Sequence, residues 1–376
     1  MLRKKFLAVF LCSCMLIALV SCSNSDSTQK GESSDWARYA DRPGMLVITD
    51  EAYLFYNPEW QYIQVTDMQY SVPAMPICTK AQCTHNDNSC SAYVETPTYF
   101  YGWNNRVYYI TLNDADSGLY SMNVTGEDRK LETVLPQLDV QNGNLSYDFY
   151  IGDGYMLLYV WTADIATSAQ KCQLLMYDMT DLNAEPVTVF TTENSDYTNC
   201  TINYHMYVMD GWVFYGLSST EKNNTLFCYE IVTGETTELV QNWADRNSLT
   251  IKDGVLYWCA VNKGIYSVEL STGKSTEYQR FATGDISGTQ GYDDQYIYLS
   301  YLTDEPKVVI YDYEGNWVAE TAFASTDEVP IYFFCSKDRA YFSYNGLQGA
   351  DLYSLPVCYL EKAAIAQGTA EFTSLL

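Results

Sequence analysis

Met209-Asp210-Gly211-Trp212-Val213-Phe214-Tyr215 is followed by Leu226-Phe227-Cys228-Tyr229-Glu230, and then by Thr233-Gly234-Glu235-Thr236-Thr237-Glu238-Leu239. An Asp-Gly pair supplies the positive φ of a tight hairpin turn, and a strand precedes and follows it. The aromatic strand after the turn does not alternate cleanly between apolar and polar residues, as expected of a strand covered on both faces. The same unit returns as Lys252-Asp253-Gly254-Val255-Leu256-Tyr257-Trp258, Gly264-Ile265-Tyr266-Ser267 and Thr272-Gly273-Lys274-Ser275-Thr276. Weaker copies begin at Asp50-Glu51-Ala52-Tyr53, Asn104-Asn105-Arg106-Val107-Tyr108, Asp153-Gly154-Tyr155, Asp294-Gln295-Tyr296 and Asp338-Arg339-Ala340-Tyr341.

Aligned on the turn residue, the copies stand at 51, 105, 154, 211, 254, 295 and 339, spaced by 54, 49, 57, 43, 41 and 44 residues. A period of about 40–50 residues with several strands per unit marks β-propeller blades. One four-stranded sheet cannot bury both of its faces alone, so neighbouring blades stack around an axis and bury them mutually. The expected fold is therefore all-β: a single propeller of seven four-stranded blades, with six or eight as the competing counts. The last blade is complete without a borrowed amino-terminal strand. The pattern resembles the broad TolB-like and quinoprotein-like propellers of exported bacterial proteins. That resemblance rests on repeat form and implies a fold, not an activity.

The amino terminus has a different character. Arg3, Lys4 and Lys5 precede an apolar run over 6–20, which ends in Leu19-Val20-Ser21-Cys22. The run is short for a membrane span and has the length of a signal-peptide core. Its last four residues resemble the lipobox of bacterial lipoproteins. The resemblance implies cleavage before Cys22, lipid on the Cys22 thiol, and a protein held on the extracytoplasmic face of the cell membrane. The expected organisation is a signal peptide over 1–21, a polar tether over 22–38 and a propeller domain over 39–376.

The formal charge of -26 becomes -29 once Arg3, Lys4 and Lys5 are removed. Such a surface disfavours nucleic acid and leaves cations, neutral glycans or basic proteins as ligands of what is expected to be a monomer. Tyrosine is abundant, at 35 of 376 residues. It suits half-buried strands and sugar-stacking surfaces alike.

One local cluster carries chemistry: Cys78-Thr79-Lys80-Ala81-Gln82-Cys83-Thr84-His85, then Cys90-Ser91-Ala92-Tyr93. It resembles a Cys-x-Lys-x-x-Cys-x-His…Cys-x-Ala-Tyr cluster in uncharacterised propeller lipoproteins of anaerobic Gram-positive bacteria. Cys78, Cys83, His85 and Cys90 form a donor set suited to structural zinc. A disulfide between two of the three thiols, or inert thiols, are the competing readings. On either bonded reading the loop staples the crossover between the first two blades. The other mature cysteines, Cys172, Cys200, Cys228, Cys259, Cys335 and Cys358, read as small buried hydrophobes.

No Gly-x-Ser-x-Gly or His-Glu-x-x-His motif occurs. His205 is a candidate channel residue, with a plain strand histidine as its competitor. Asp293–Asp294 and Asp304–Glu305 read as solvated loop ends. The expected function is a binding or scaffold propeller. The alternative is a glycan or peptidoglycan hydrolase or lyase with carboxylates and tyrosines in its funnel.

Overall fold

Tyrosine, phenylalanine and β-branched residues fill short runs between turn residues, and these runs become the strands. The computed structural model describes residues 38, 46–49, 52–57, 61–69, 71–87, 89–95, 99–111, 118–136, 143–164, 170–193, 200–219, 224–241, 249–260, 264–272, 290–301, 307–322, 330–344 and 356–375. Cys22, the expected signal peptide and all of the tether but Arg38 lie outside them.

Blade 1 comprises β1 (Leu46–Ile48), β2 (Ala52–Asn57), β3 (Tyr62–Asp67) and β4 (Met75–Pro76); blade 2 comprises β5 (Phe100–Trp103), β6 (Arg106–Thr111), β7 (Gly118–Asn123) and β8 (Lys130–Val134). Blade 3 comprises β9 (Gly143–Gly152), β10 (Tyr155–Asp164), β11 (Gln170–Asp178) and β12 (Val187–Thr191); blade 4 comprises β13 (Cys200–Met209), β14 (Trp212–Ser219), β15 (Thr225–Glu230) and β16 (Thr236–Gln241). Blade 5 has three described strands, β17 (Leu249–Lys252), β18 (Val255–Ala260) and β19 (Gly264–Glu269). Its expected fourth, after Thr272, falls outside the described residues. Blade 6 comprises β20 (Gln290–Tyr292), β21 (Tyr296–Tyr301), β22 (Lys307–Asp312) and β23 (Trp317–Ala322). Blade 7 comprises β24 (Pro330–Cys335), β25 (Arg339–Tyr344), β26 (Cys358–Glu361) and β27 (Thr373–Ser374). Each sheet is an antiparallel meander of consecutive strands, and the chain is a seven-bladed β-propeller.

The first strand of each blade is innermost: β1 packs beside β5, β5 beside β9, β9 beside β13, and β20 beside β24. The second strands are almost wholly buried, and the fourth strands, such as β8 and β16, are largely exposed. In three blades the expected Asp-Gly pair joins the first two strands with both residues at positive φ: Asp153-Gly154, Asp210-Gly211 and Asp253-Gly254. Asn104-Asn105 does the same in blade 2. Blade 6 uses a different device, the Asp293 carboxylate accepting the amides of Gln295 and Tyr296 at 2.7 Å each. An unexpected one-turn helix, α1 (Lys362–Ile365), separates β26 from β27.

The core is a ring of clusters between blades. Val47, Leu54 and Ile63 meet Phe100, Val107 and Tyr109 between blades 1 and 2. Tyr53 and Phe55 meet Phe334 and Tyr341 where blade 7 closes on blade 1. The largest fully buried side chains are all tyrosine or phenylalanine. Burial of such a ring contributes roughly 1.5–3 kcal/mol. The tyrosine hydroxyls then reach across to the neighbouring blade. Tyr332 donates to the Tyr292 carbonyl at 2.7 Å, Tyr341 to Met68 at 3.0 Å, and Tyr147 to Pro136 at 2.7 Å. Much of the tyrosine content is thus structural: the ring fills the inter-blade core while the hydroxyl satisfies a carbonyl of the next sheet.

Candidate metal centre

The loop joining β4 to β5 is fastened to both blades it connects. On blade 1, the Ile63 amide donates to Ala92 at 3.0 Å, and the Val94 amide donates to Gln61 at 2.9 Å. Tyr62 and Tyr93 form an isolated antiparallel bridge. On blade 2, Thr79 Oγ1 donates to Glu127 Oε1 at 3.1 Å, and Arg129 donates to the Ser91 carbonyl at 3.0 Å and to that of Tyr93. Gly126, at φ +78°, lies so close to Ile77 that an added Cβ would sit 2.9 Å from Ile77 Cγ1.

Within this frame the loop folds back on itself. Asp87 Oδ1 accepts the Ser89 amide at 2.8 Å, and its carbonyl accepts the Cys90 amide at 3.0 Å. His85 is left-handed, at φ +57°, and its Nδ1 comes to 3.2 Å from Cys90 Sγ. One ligand atom from each of Cys78, Cys83, His85 and Cys90 lies within 4.8 Å of the others. The four expected residues therefore do converge. None of the three sulfurs is bonded to another.

The donor set fits a tetrahedral thiophilic cation. Three thiolates and an imidazole suit zinc, whose bonds to them are about 2.3 and 2.0–2.1 Å. The surroundings prepare the sulfurs for ionisation. Burial pushes the Cys78 thiol up, but the Lys80 amide, the Ser91 hydroxyl and the Cys90 and Cys83 thiols bring it down to about 7. Burial dominates at Cys90 and raises it to about 11, even though the Ala92 and Tyr93 amides donate to it. Amide-to-sulfur bonds of this kind orient and tune metal ligands. Three thiols this close cannot all ionise without a cation among them, so metal binding would displace their protons.

A second arrangement lies on the innermost strands. Tyr101 of β5, Tyr150 of β9 and Tyr207 of β13 each stand three residues ahead of their blade's first turn residue. Their rings meet edge to face, at 5.5 and 5.4 Å between centroids. Asp148 is half-buried on the same face of β9 as Tyr150, and pairs across the sheet with Tyr159. Burial pushes the Asp148 carboxyl up to about 7, against the hydrogen bond it accepts from the Phe149 amide at 2.7 Å. Burial and then the Asp148 charge hold the Tyr101 hydroxyl well above its ordinary value. His205 occupies the position in β13 that Asp148 occupies in β9, five residues ahead of the turn. The strand is irregular between Asn203 and Met206, and the His205 side chain lies outside the described residues. Nothing in the local sequence distinguishes Asp148 from any other strand acid.

Of the acidic pair read as a solvated loop end, Asp293 is corrected by the structure, while Asp294 stays partly exposed. Asp293 is fully buried and Lys362 nearly so. Lys362 Nζ lies 3.2 Å from Asp293 Oδ2 and 2.7 Å from Asp294 Oδ1. Tyr298 donates to Asp293 Oδ2 at 2.6 Å, Tyr313 donates to the Asp293 carbonyl at 2.6 Å, and Lys252 Nζ donates to the Asp294 carbonyl at 3.0 Å. The group joins blades 5, 6 and 7 and is a structural knot. Asp304 and Glu305 lie outside the described residues. Of the isolated cysteines, Cys172, Cys228, Cys335 and Cys358 are buried as expected; the side chains of Cys200 and Cys259 lie outside the described residues.

No protein-family model and no curated protein matches the chain. Solved structures do resemble it. A prolyl endopeptidase aligns over 91% of this chain and 50% of its own, at 9% identity and a TM-score of 0.58. A puromycin hydrolase aligns over 91% of this chain and 55% of its own, at 11% identity and a TM-score of 0.55. TolB from Acinetobacter baumannii aligns over 74% of this chain and 63% of its own, at 10% identity and a TM-score of 0.38. The chain spans about half the length of the prolyl endopeptidase and of the puromycin hydrolase, and at these identities the likeness is one of fold.

Proposed function

We propose that the chain is a membrane-anchored extracytoplasmic lipoprotein whose propeller serves as a binding or scaffold module. The seven-bladed repeat architecture carries this reading, because stacked blades build a rigid platform whose loops can present recognition residues. The Cys22 box supports the anchor. Several acyl chains on one residue hold a protein on a membrane, where a single chain is marginal. In the same reading Cys78, Cys83, His85 and Cys90 hold a structural Zn²⁺. Four protein ligands complete the tetrahedron and leave no position for a substrate, so the ion stabilises the crossover and takes no part in turnover. The anchor is tested by Cys22→Ala. We expect release from the membrane fraction or accumulation of an uncleaved precursor. An unlipidated amino terminus elsewhere, found by intact mass, overturns it.

A further inference from the structure

The turn that carries Cys90 is held from both blades, peptide by peptide. The Ala92 amide donates to Cys90 Sγ, and the carbonyl of the same peptide unit, that of Ser91, accepts from Arg129 of blade 2 at 3.0 Å. The Tyr93 amide is shared between that sulfur and the Cys90 carbonyl. The carbonyl of its own peptide unit, that of Ala92, accepts the Ile63 amide of blade 1 at 3.0 Å. Neither peptide is cis. In a trans peptide the N–H and C=O point in opposite directions, so a donor on the oxygen fixes where the N–H aims. Blade 2 therefore aims the Ala92 N–H at a candidate metal ligand. Arg129 reaches on to the Tyr93 carbonyl, and its guanidinium lies over Tyr109, 5.8 Å from the ring centroid, beside the core of blades 1 and 2. The turn between β7 and β8 that ends in Arg129 also grips both neighbours of Cys78, with Gly126 packed on Ile77 and Glu127 accepting from Thr79.

We propose that Arg129 is a positioning residue for the metal centre: by holding the Ser91 and Tyr93 carbonyls it keeps the Ala92 amide on Cys90 Sγ and tunes the bond of that sulfur to the cation. The assignment rests on the metal reading above and adds to it a residue that touches no metal. A positive guanidinium on the Ser91 oxygen polarises the peptide and makes its N–H a stronger donor. Three thiolates on one divalent cation leave the centre negative, so donors to sulfur favour the loaded form. Both carbonyl bonds come from one nitrogen of Arg129, Nη2, so a lysine ammonium can replace them in part.

The test is Co²⁺ titration of the detergent-solubilised full chain, reduced and stripped with chelator, followed by displacement with Zn²⁺. The parent should show the absorption of a tetrahedral thiolate site. Arg129→Gln should bind either ion about 10–100-fold more weakly, the usual cost of losing an outer contact, and shift the sulfur-to-cobalt charge-transfer band. Arg129→Lys should recover part of the affinity and move the band part of the way back. Arg339→Gln is the control, because Arg339 also pairs with a carboxylate, Glu361, and covers a tyrosine ring, Tyr359, but does so in blade 7. It should move neither affinity nor band. If Arg129→Gln binds as the parent does, binds weakly with an unmoved band, or loses no more affinity than the control, the positioning role is overturned. Should Arg129→Gln not fold, Arg129→Lys decides: weaker binding with a shifted band supports the role, and parental binding overturns it. A parent that binds neither ion overturns the metal reading itself, and the role of Arg129 with it.

Discussion

Two staples hold neighbouring blades together, and they are built on opposite plans. The Cys/His loop draws its four donors from thirteen consecutive residues, 78–90, and fixes blade 1 to blade 2 at a half-exposed site. The Asp293–Asp294–Lys362 knot joins residues 68 apart between blades 5, 6 and 7, with Asp293 and Lys362 buried and Asp294 partly exposed. The loop's backbone bonds to both blades do not depend on a cation. The knot depends on its charges themselves, since Lys362 and Asp293 are buried against each other.

The largest effect is expected where the knot is broken from one side. Asp293→Ala should cost about 3–5 kcal/mol, because it takes the buried carboxylate away from the buried Lys362 ammonium. Burial pushes the Asp293 carboxyl up, and Lys362, Tyr298 and the Gln295 and Tyr296 amides oppose that push. Asp293→Asn with Lys362→Met should therefore cost less than either single change, as read by urea unfolding. A double variant worse than both singles would break the comparison.

Removal of metal from the loop should have a smaller effect. A cation present at a hundredfold its dissociation constant stabilises by about 2.7 kcal/mol. A chelator, or Cys83→Ser, should lower the melting temperature accordingly, and metal analysis of untreated protein should give one zinc per chain. His85→Ala should behave likewise. If a disulfide holds the loop instead, peptide mapping under non-reducing conditions will find it and His85→Ala will be nearly neutral.

Asp148 sharpens the comparison because it has neither a metal nor an ammonium. Its folded value of about 7 stands above the ordinary 3.8, so the folded protein binds this proton more tightly than the unfolded chain does. Stability from this group is full below about pH 4 and is lost as pH rises to about 7. Asp148→Asn should abolish that loss and stabilise the protein by about 1–2 kcal/mol at pH 8, discounted for partial exposure. Equilibrium unfolding at pH 4.5 and 8 checks it. No gain at pH 8 would place Asp148 in ordinary solvent.

The smallest effect is expected at a turn that belongs to neither staple. An added Cβ at Gly254 meets nothing within 4 Å, so only its φ of +75° opposes a side chain. Gly254→Ala should cost about 1 kcal/mol, seen as a small shift in the urea midpoint.

The difference between the staples also explains what could be read from the chain. The blade period is legible because each blade repeats one local solution, a positive-φ turn and an aromatic strand. Where the solution changes, as at Asp293, the alignment still finds the blade and misreads the acid. The Cys/His loop is legible because all of its donors are close in sequence. Asp293 looks like any loop acid until α1 delivers Lys362, and no local pattern announces that meeting. Asp148 is hidden for a related reason. In strands covered on both faces, hydropathy does not tell which acid is desolvated, and the tyrosines around Asp148 come from three blades.

The seam between blades 7 and 1 sets an order on assembly. Among the described residues it consists of side-chain packing and the Tyr341-to-Met68 hydrogen bond, which spans 273 residues of sequence, with no strand shared across it. During synthesis, the face of blade 1 that bears Tyr53 and Phe55 waits uncovered until almost the whole chain has been made. Long-range closure of this kind is slow and leaves apolar surface open to the wrong partners. The nascent protein is therefore most vulnerable to aggregation in the interval before its last blade arrives. Truncation within blade 7 should yield an insoluble product, even though six blades remain intact in sequence.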